Sequence, residues 1–189
     1  MSRINKFNAG NSGKTSLIAL DCFSSVAIHQ DQVYAADYST NQTRVFQLNE
    51  TASAGWHQLR SIDHDFSTKN NNFLTLSISN NHLKFCSFED SAIKVYSLSG
   101  ELLQTHGTRG RGDAGQLSSP YISDHDDDGS VLIADRDNNR LQVMSEQGEF
   151  SVLQLQPPVS QPRSAVLFES HMFVTSWNKK TIYRYKYSC

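Results

Sequence analysis

The chain has 189 residues, of which 38% are hydrophobic and 19% charged, with a formal net charge of −2. That is room for one domain with a full core, and the charge gives no overall basic footprint for nucleic acid. Residues 1–135 carry 10 Lys/Arg against 15 Asp/Glu, and residues 136–189 carry 7 against 4, so a polyanionic partner would favour the second half.

The opening "MSRINKFNAG" has no apolar run behind its basic residues, and no apolar stretch approaches membrane-spanning length. The expectation is a chain without a signal peptide or a membrane partner. Three cysteines, Cys22, Cys86 and Cys189, lie far apart with no C-x-x-C spacing. A disulfide framework or zinc site is not expected, and a reducing, cytoplasmic setting is.

Next comes "GNSGKTS" (10–16), which is reminiscent of a phosphate loop. The first glycine of that pattern would fall on Asn8, and neither a preceding buried strand nor a following helix is suggested. It reads better as a connector leading into "SLIAL" (16–20). From there the chain alternates short runs of Val, Ile, Leu, Phe and Tyr with Asn, Asp, Ser and Gly, the texture of short strands joined by turns.

Four segments align without gaps: "VYAADYSTNQTRVFQL" from Val33, "LKFCSFEDSAIKVYSL" from Leu83, "VLIADRDNNRLQVMSE" from Val131 and "MFVTSWNKKTIYRYKY" from Met172. Their starts are 50, 48 and 41 residues apart. The fifth column holds Asp37, Ser87, Asp135 and Ser176; the thirteenth holds Val45, Val95, Val143 and Arg184. Each segment reads as two strands around a polar loop. A third strand precedes each pair, at 24–28, 73–78, 121–124 and 164–168, and a fourth follows the first three, at 56–62, 101–107 and 149–155. A four-stranded antiparallel unit repeated in somewhat under 50 residues is a β-propeller blade, whose two apolar faces must be covered by neighbours.

The fold class expected is therefore all-β, a β-propeller with about four blades. One domain spans 1–189, with blades at roughly 21–62, 72–107, 120–155 and 163–189. Residues 1–20 supply a connector and a candidate closing strand, "SLIAL".

"VLIADRDNNRLQVMSEQGEFSVLQL" (131–155) resembles an NHL repeat: strand, Ala-Asp, Asn-rich loop, Arg-Leu-Gln-Val, glycine turn, strand. "HGTRGRGDAGQLSSP" (106–120) is similar to the glycine-rich connector between such repeats, with Gly107, Gly110 or Gly112, Gly115, Leu117 and Pro120 in the family's places. The likeness is strong over 83–155 and fades elsewhere: Thr43 stands where the family has an apolar residue, and blade four lacks the Asp and has Arg184 in the Val column. It implies a six-bladed ring of which this chain is a part, in preference to a closed four-bladed ring. It also explains Arg111-Gly112-Asp113, the tripeptide of integrin ligands, as connector spelling; no integrin binding is expected. The connector glycines 107, 110, 112 and 115 are expected to supply positive φ.

The resemblance further implies a non-enzymatic recognition module binding a protein partner or an RNA hairpin. In animal tripartite-motif proteins such a propeller selects targets for a ubiquitin ligase whose RING domain lies elsewhere, and the terminal segment 162–187 looks like that group's closing blade. The acidic first half tilts the expectation toward protein over RNA. A related propeller lyase uses histidines to hold a metal, but His29, His57, His64, His82, His106, His125 and His171 form no set that maps onto such a site. No catalytic group, cofactor or metal site is expected.

Two stretches suggest ligands. In "DHDDDGSVLIAD" (124–135), Asp124, Asp126 and Asp128 alternate as in a calcium loop, though strands flank it and Leu132 occupies a place where a further Asp would be wanted; an Asp-Gly hairpin turn is the simpler reading. The loops between strands two and three of blades three and four carry Arg136, Asn138, Asn139 and Arg140, and Trp177, Lys179 and Lys180. Equivalent loops share one face of a propeller, so these seven are the candidates for contacting a partner.

Overall fold

The computed structural model describes residues 23–47, 57–65 and 74–187. The closing-strand candidate at 16–20, the stretch 10–16, Cys22 and Cys189 lie outside the described residues. Within them the chain forms 17 strands and one three-residue 3₁₀ turn.

Blade one is the sheet β1 (Phe23–His29), β2 (Gln32–Asp37), β3 (Gln42–Gln47) and β4 (His57–Asp63), hydrogen-bonded in that order. Blade two is β5 (Leu74–Ser79), β6 (His82–Ser87), β7 (Ala92–Ser97) and β8 (Leu102–His106). The glycine-rich connector adds a small parallel pair, β9 (Thr108–Arg109) with β10 (Gln116–Leu117). Blade three is β11 (Pro120–His125), β12 (Val131–Asp135), β13 (Arg140–Met144) and β14 (Phe150–Val152). Blade four has three strands, β15 (Pro162–Phe168), β16 (His171–Ser176) and β17 (Ile182–Lys186). Pairing within every blade is antiparallel.

The first strands stack side by side, β1 on β5, β5 on β11 and β11 on β15, and so line the central channel. Side chains alternate between blade faces. Tyr34, Ala36 and Val45 of blade one therefore meet Leu74, Leu76, Leu83 and Phe85 of blade two. Cys86 and Ile93, on the other face of blade two, meet Ile122, Val131 and Ile133. Tyr121, Leu132 and Leu141 meet Ala165, Met172 and Val174. Among the described residues this packing is not continued from β15 back to β1. Val26 and Ile28 on the outer face of blade one, and Val166, Phe168 and Ile182 on that of blade four, are 47–68% exposed. Across the described residues the blades form an open arc.

First strands of neighbouring blades share no backbone ladder, so their edge groups need other partners. Short side chains supply them. Ser24 Oγ donates to the Leu74 carbonyl at 2.6 Å, Leu76 N donates to Ser25 Oγ at 3.2 Å, and Ile122 N donates to Thr75 Oγ1 at 2.8 Å. Asp124 Oδ2 accepts from Leu167 N at 2.9 Å, joining blades three and four.

The repeat columns have distinct jobs. The fifth residue is a side-chain acceptor at the end of the second strand: Asp37 Oδ1 accepts from Ser39 N, Ser87 Oγ from Asp90 N and Ser176 Oγ from Lys179 N, each in the loop that follows, while Asp135 Oδ1 accepts from Ser118 N in the connector ahead of β11. The ninth residue, Asn41, Ser91, Asn139 and Lys180, has φ between +49° and +58° in every blade. Asn tolerates this conformation, whereas a lysine there is strained. Lys180→Gly is therefore expected to raise stability by about 0.5–1 kcal/mol, read as a higher urea midpoint at unchanged slope. An unchanged or lower midpoint would show that the lysine side chain contributes more than its backbone costs.

The connector departs from expectation. Gly107 and Gly115 take φ of +79° and +82°, but Gly110 and Gly112 do not have positive φ. Gly110 instead makes room for the Gln116 side chain, which a Cβ would strike. The last strand of blade three is also shorter than 149–155, ending at Val152 ahead of the Pro157-Pro158 pair.

Candidate partner-binding face

The second residue of each inner strand region points to one mouth of the channel. Ser24, Thr75, Tyr121 and Arg163, one from each blade, line a cavity of about 210 Å³ there together with Leu74, Ile122 and Ser164. The loops after each second strand surround this mouth.

A stack of rings and guanidinium groups crosses the face. Arg136 lies over Phe88 at 4.8 Å, Phe88 tilts against Tyr121 at 6.1 Å, and Arg163 lies over Tyr121 at 4.1 Å and over Trp177 at 5.1 Å. Arg136 is steadied by Asp137, with Nε donating to Oδ1 at 2.9 Å; its guanidinium beside Asp137 holds that carboxyl below the usual range. Trp177 is 61% exposed at the end of the stack, next to exposed Lys179 and Lys180.

Of the seven residues nominated from sequence, Trp177, Lys179 and Lys180 are exposed beside this face, and Arg136 stands within the stack, held by Asp137. The other three are tied into the fold. Asn138 Nδ2 donates to the Gly110 carbonyl and to Asp135 Oδ2. Asn139 Oδ1 accepts from Gln161 N, and the residue occupies the left-handed position of its loop. Arg140 donates to Asp135 Oδ2, to the carbonyls of Gly112 and Asp113 and to that of Gln116, pinning the Arg-Gly-Asp stretch onto blade three.

The alternating aspartates do not form a cation cage. Asp124 accepts from His125 N and Leu167 N, Asp126 Oδ1 from Asp127 N, and Asp128 Oδ1 from Ser130 N, bonds that serve their own turn or the neighbouring blade. Among the described residues no three His, Cys, Asp or Glu groups stand together as metal ligands would.

Sequence reasoning missed Arg163, Tyr121 and Phe88. Arg163 sits in "QPRSAVLF", which reads only as the approach to a strand. The signal was its register: Pro162 pairs with Ser176 as Pro120 pairs with Asp135, which places Arg163 in the column of Tyr121. It missed Lys84 as well. That side chain is 2% exposed and bridges blades two and three through the Gly129 carbonyl at 2.5 Å, Ser79 Oγ at 2.9 Å and the Glu146 carboxylate.

Comparison with solved structures agrees with this architecture. The chain superposes on a Bacteroides thetaiotaomicron protein of unknown function with a TM-score of 0.69 at 15% identity, over 87% of this chain and 47% of that one. It matches virginiamycin B lyase from Staphylococcus aureus, solved with quinupristin, with a TM-score of 0.61 at 13% identity, over 91% and 58%. The computationally designed Ika4 protein gives 0.61 at 13% identity, over 94% of this chain and all of that one. This chain thus spans about half the length of the natural proteins it resembles. At such identities the likeness defines the fold alone: an all-β chain of β-propeller blades. No family model and no curated protein sequence matches it. No helix among the described residues is long and apolar enough to cross a membrane.

Proposed function

We propose that this chain is a non-enzymatic recognition module of the NHL type. In this reading it is the target-selecting part of a tripartite-motif-type ubiquitin ligase whose catalytic domain lies elsewhere, and its protein partner docks on the loop face of blades three and four. The supporting observation is the continuous stack Arg136–Phe88–Tyr121–Arg163–Trp177 beside Lys179 and Lys180. Rigid rings and arginines carry a large share of interface energy because they bury area at small entropic cost. An exposed tryptophan beside two lysines also suits stacking on a base, so an RNA hairpin is the second reading.

Selection of binders from a displayed random-peptide library on the folded chain tests the first reading. Binding is expected to weaken at least about tenfold in the triple variant Trp177→Ala, Lys179→Glu, Lys180→Glu, and to weaken with salt. Binders indifferent to these changes would place the partner elsewhere. A chain that captures RNA hairpins and no peptides would favour the second reading.

A further inference from the structure

Arg163, on blade four, differs from Arg44 of blade one and from Arg136 and Arg140 of blade three. Arg44, Arg136 and Arg140 each face an aspartate, at 2.8–2.9 Å from Asp37, Asp137 and Asp135. Arg163 is partly buried, and among the described residues its guanidinium lies on the Tyr121 and Trp177 rings. No carboxylate or carbonyl of the described residues accepts a hydrogen bond from its side chain. A guanidinium clamped between two rings is held in place while its in-plane N–H donors stay available. Those donors border the 210 Å³ cavity at the channel mouth, where Arg163 is the one charged group among the lining residues.

We propose that this cavity is an anion site, and that its ligand is a carboxylate presented by the partner: an Asp or Glu side chain or a chain terminus of an acidic peptide. This rests on the reading of the loop face as the partner surface. The planar fork of an arginine matches the two oxygens of a carboxylate. The Thr75 and Ser164 hydroxyls stand among the lining residues, while the Ser24 proton is committed to the Leu74 carbonyl and the Leu74 and Ile122 side chains are buried in the blade cores. Size argues against a whole nucleotide, because pockets that enclose complete small molecules hold roughly 300–1,000 Å³. Charge argues against a polyanion crossing the face, because the equivalent loop of blade two carries Glu89 and Asp90. A carboxylate at the end of a side chain can enter the mouth without bringing further charge across that loop.

The test uses the full chain carrying isotope-labelled arginine. The guanidinium Nε–H resonances are followed by NMR, with the Arg163 signal identified by its loss in Arg163→Lys. Glutarate is the probe, glutaramide its uncharged control and dimethyl phosphate the competing chemistry. The Arg163 signal is expected to move saturably with glutarate, half-way at on the order of 10 mM, and to stay still with glutaramide. Trp177→Ala, which removes one wall of the clamp, is expected to weaken the response by about threefold while leaving the Arg163 signal in place.

An Arg163 signal that ignores glutarate to on the order of 100 mM would overturn the site. Equal movement with dimethyl phosphate would overturn the carboxylate assignment in favour of a phosphodiester. Equal movement of the exposed Arg184 signal would reduce the effect to general surface attraction. The two readings of this face can fail separately. If library-selected peptides bind Arg163→Gln as they bind the wild type, the carboxylate site falls and the recognition face stands. If glutarate titrates Arg163 but no selected peptide depends on Trp177, Lys179 and Lys180, the recognition face falls.

Discussion

Asp135→Ala is expected to cost the chain a large share of its stability, about 3–5 kcal/mol, through blade three and the blades packed on it. Asp135 is fully buried at the end of β12 and accepts four hydrogen bonds. Ser118 N donates to Oδ1 at 2.7 Å, while Asn138 Nδ2, Arg140 Nε and Gln142 Nε2 donate to Oδ2 at 2.8, 2.9 and 2.9 Å. One carboxylate thus holds the connector, the loop after β12 and strand β13 together. Alanine would leave the Arg140 charge facing no acid and the fully buried Gln142 short of an acceptor. Removing one partner of a buried ion pair costs about 3–5 kcal/mol, against roughly 5–15 kcal/mol for the stability of a whole domain. Asp135→Asn, which keeps an acceptor oxygen, should lie between alanine and the wild type. Asp37→Ala should cost less, because its partner Arg44 is 32% exposed and water can replace the lost acceptor. Urea denaturation of the three variants reads all of this directly. A midpoint for Asp135→Ala within error of the wild type would mean that the network adds nothing to the fold.

This contrast also marks what the sequence made legible. The blades could be read because each strand has two buried faces and each loop has a fixed length, so Val, Ile and Tyr recur at the same offsets. Asp135 stood out as a member of a column that also holds Asp37, Ser87 and Ser176. The structure shows why that column takes short acceptors: Asp37, Ser87 and Ser176 cap the loop that follows, and Asp135 ties that loop to the connector. Three of the residues that stayed hidden, Lys84, Arg163 and Tyr121, did so for a different reason. Lys84 lies in a column otherwise filled by Tyr34, Leu132 and Phe173, and nothing local shows that Glu146, 62 residues on, reaches it across the blade interface. Arg163 and Tyr121 share a column whose meaning, the lining of the channel mouth, is set by ring geometry and not by any neighbour in sequence. Conversely, Asn138 and Arg140 were nominated because loops on one face suggest contact with a partner. Their side chains turn inward to hold the connector, a choice that depends on where Gly110, Gly112 and Gln116 lie in space.

Acidification is expected to destabilise the chain well before its carboxylates titrate, through His64. This residue follows β4 and is buried between blades one and two, its ring 4.2 Å from that of Phe85 and 5.7 Å from that of Tyr96. Nε2 shares a 2.9 Å hydrogen bond with Thr43 Oγ1, and the backbone exchanges bonds with Asn41. Thr43 is the residue that departs from the apolar preference of its column, and His64 is the partner that accounts for it. Burial lowers the imidazole pKa from 6.5 to about 4; nearby Asp63 opposes the shift and Lys94 adds to it. The sign follows from which state binds the proton first. Below pH 6.5 the unfolded chain takes up a proton that the folded chain refuses until about pH 4, so stability is full above that window and falls through it. At about 1.4 kcal/mol per pH unit, the loss reaches about 3 kcal/mol by pH 4. His106, also lowered by burial, acts in the same direction but is more exposed. The lowered carboxyls of Asp37, Asp128 and Asp137 lose their contribution only below their ordinary value of 3.8. His64→Gln separates the terms: it should be less stable at neutral pH, yet lose much less than the wild type between pH 6.5 and 4. Parallel losses in the two proteins would assign the acid sensitivity to other groups.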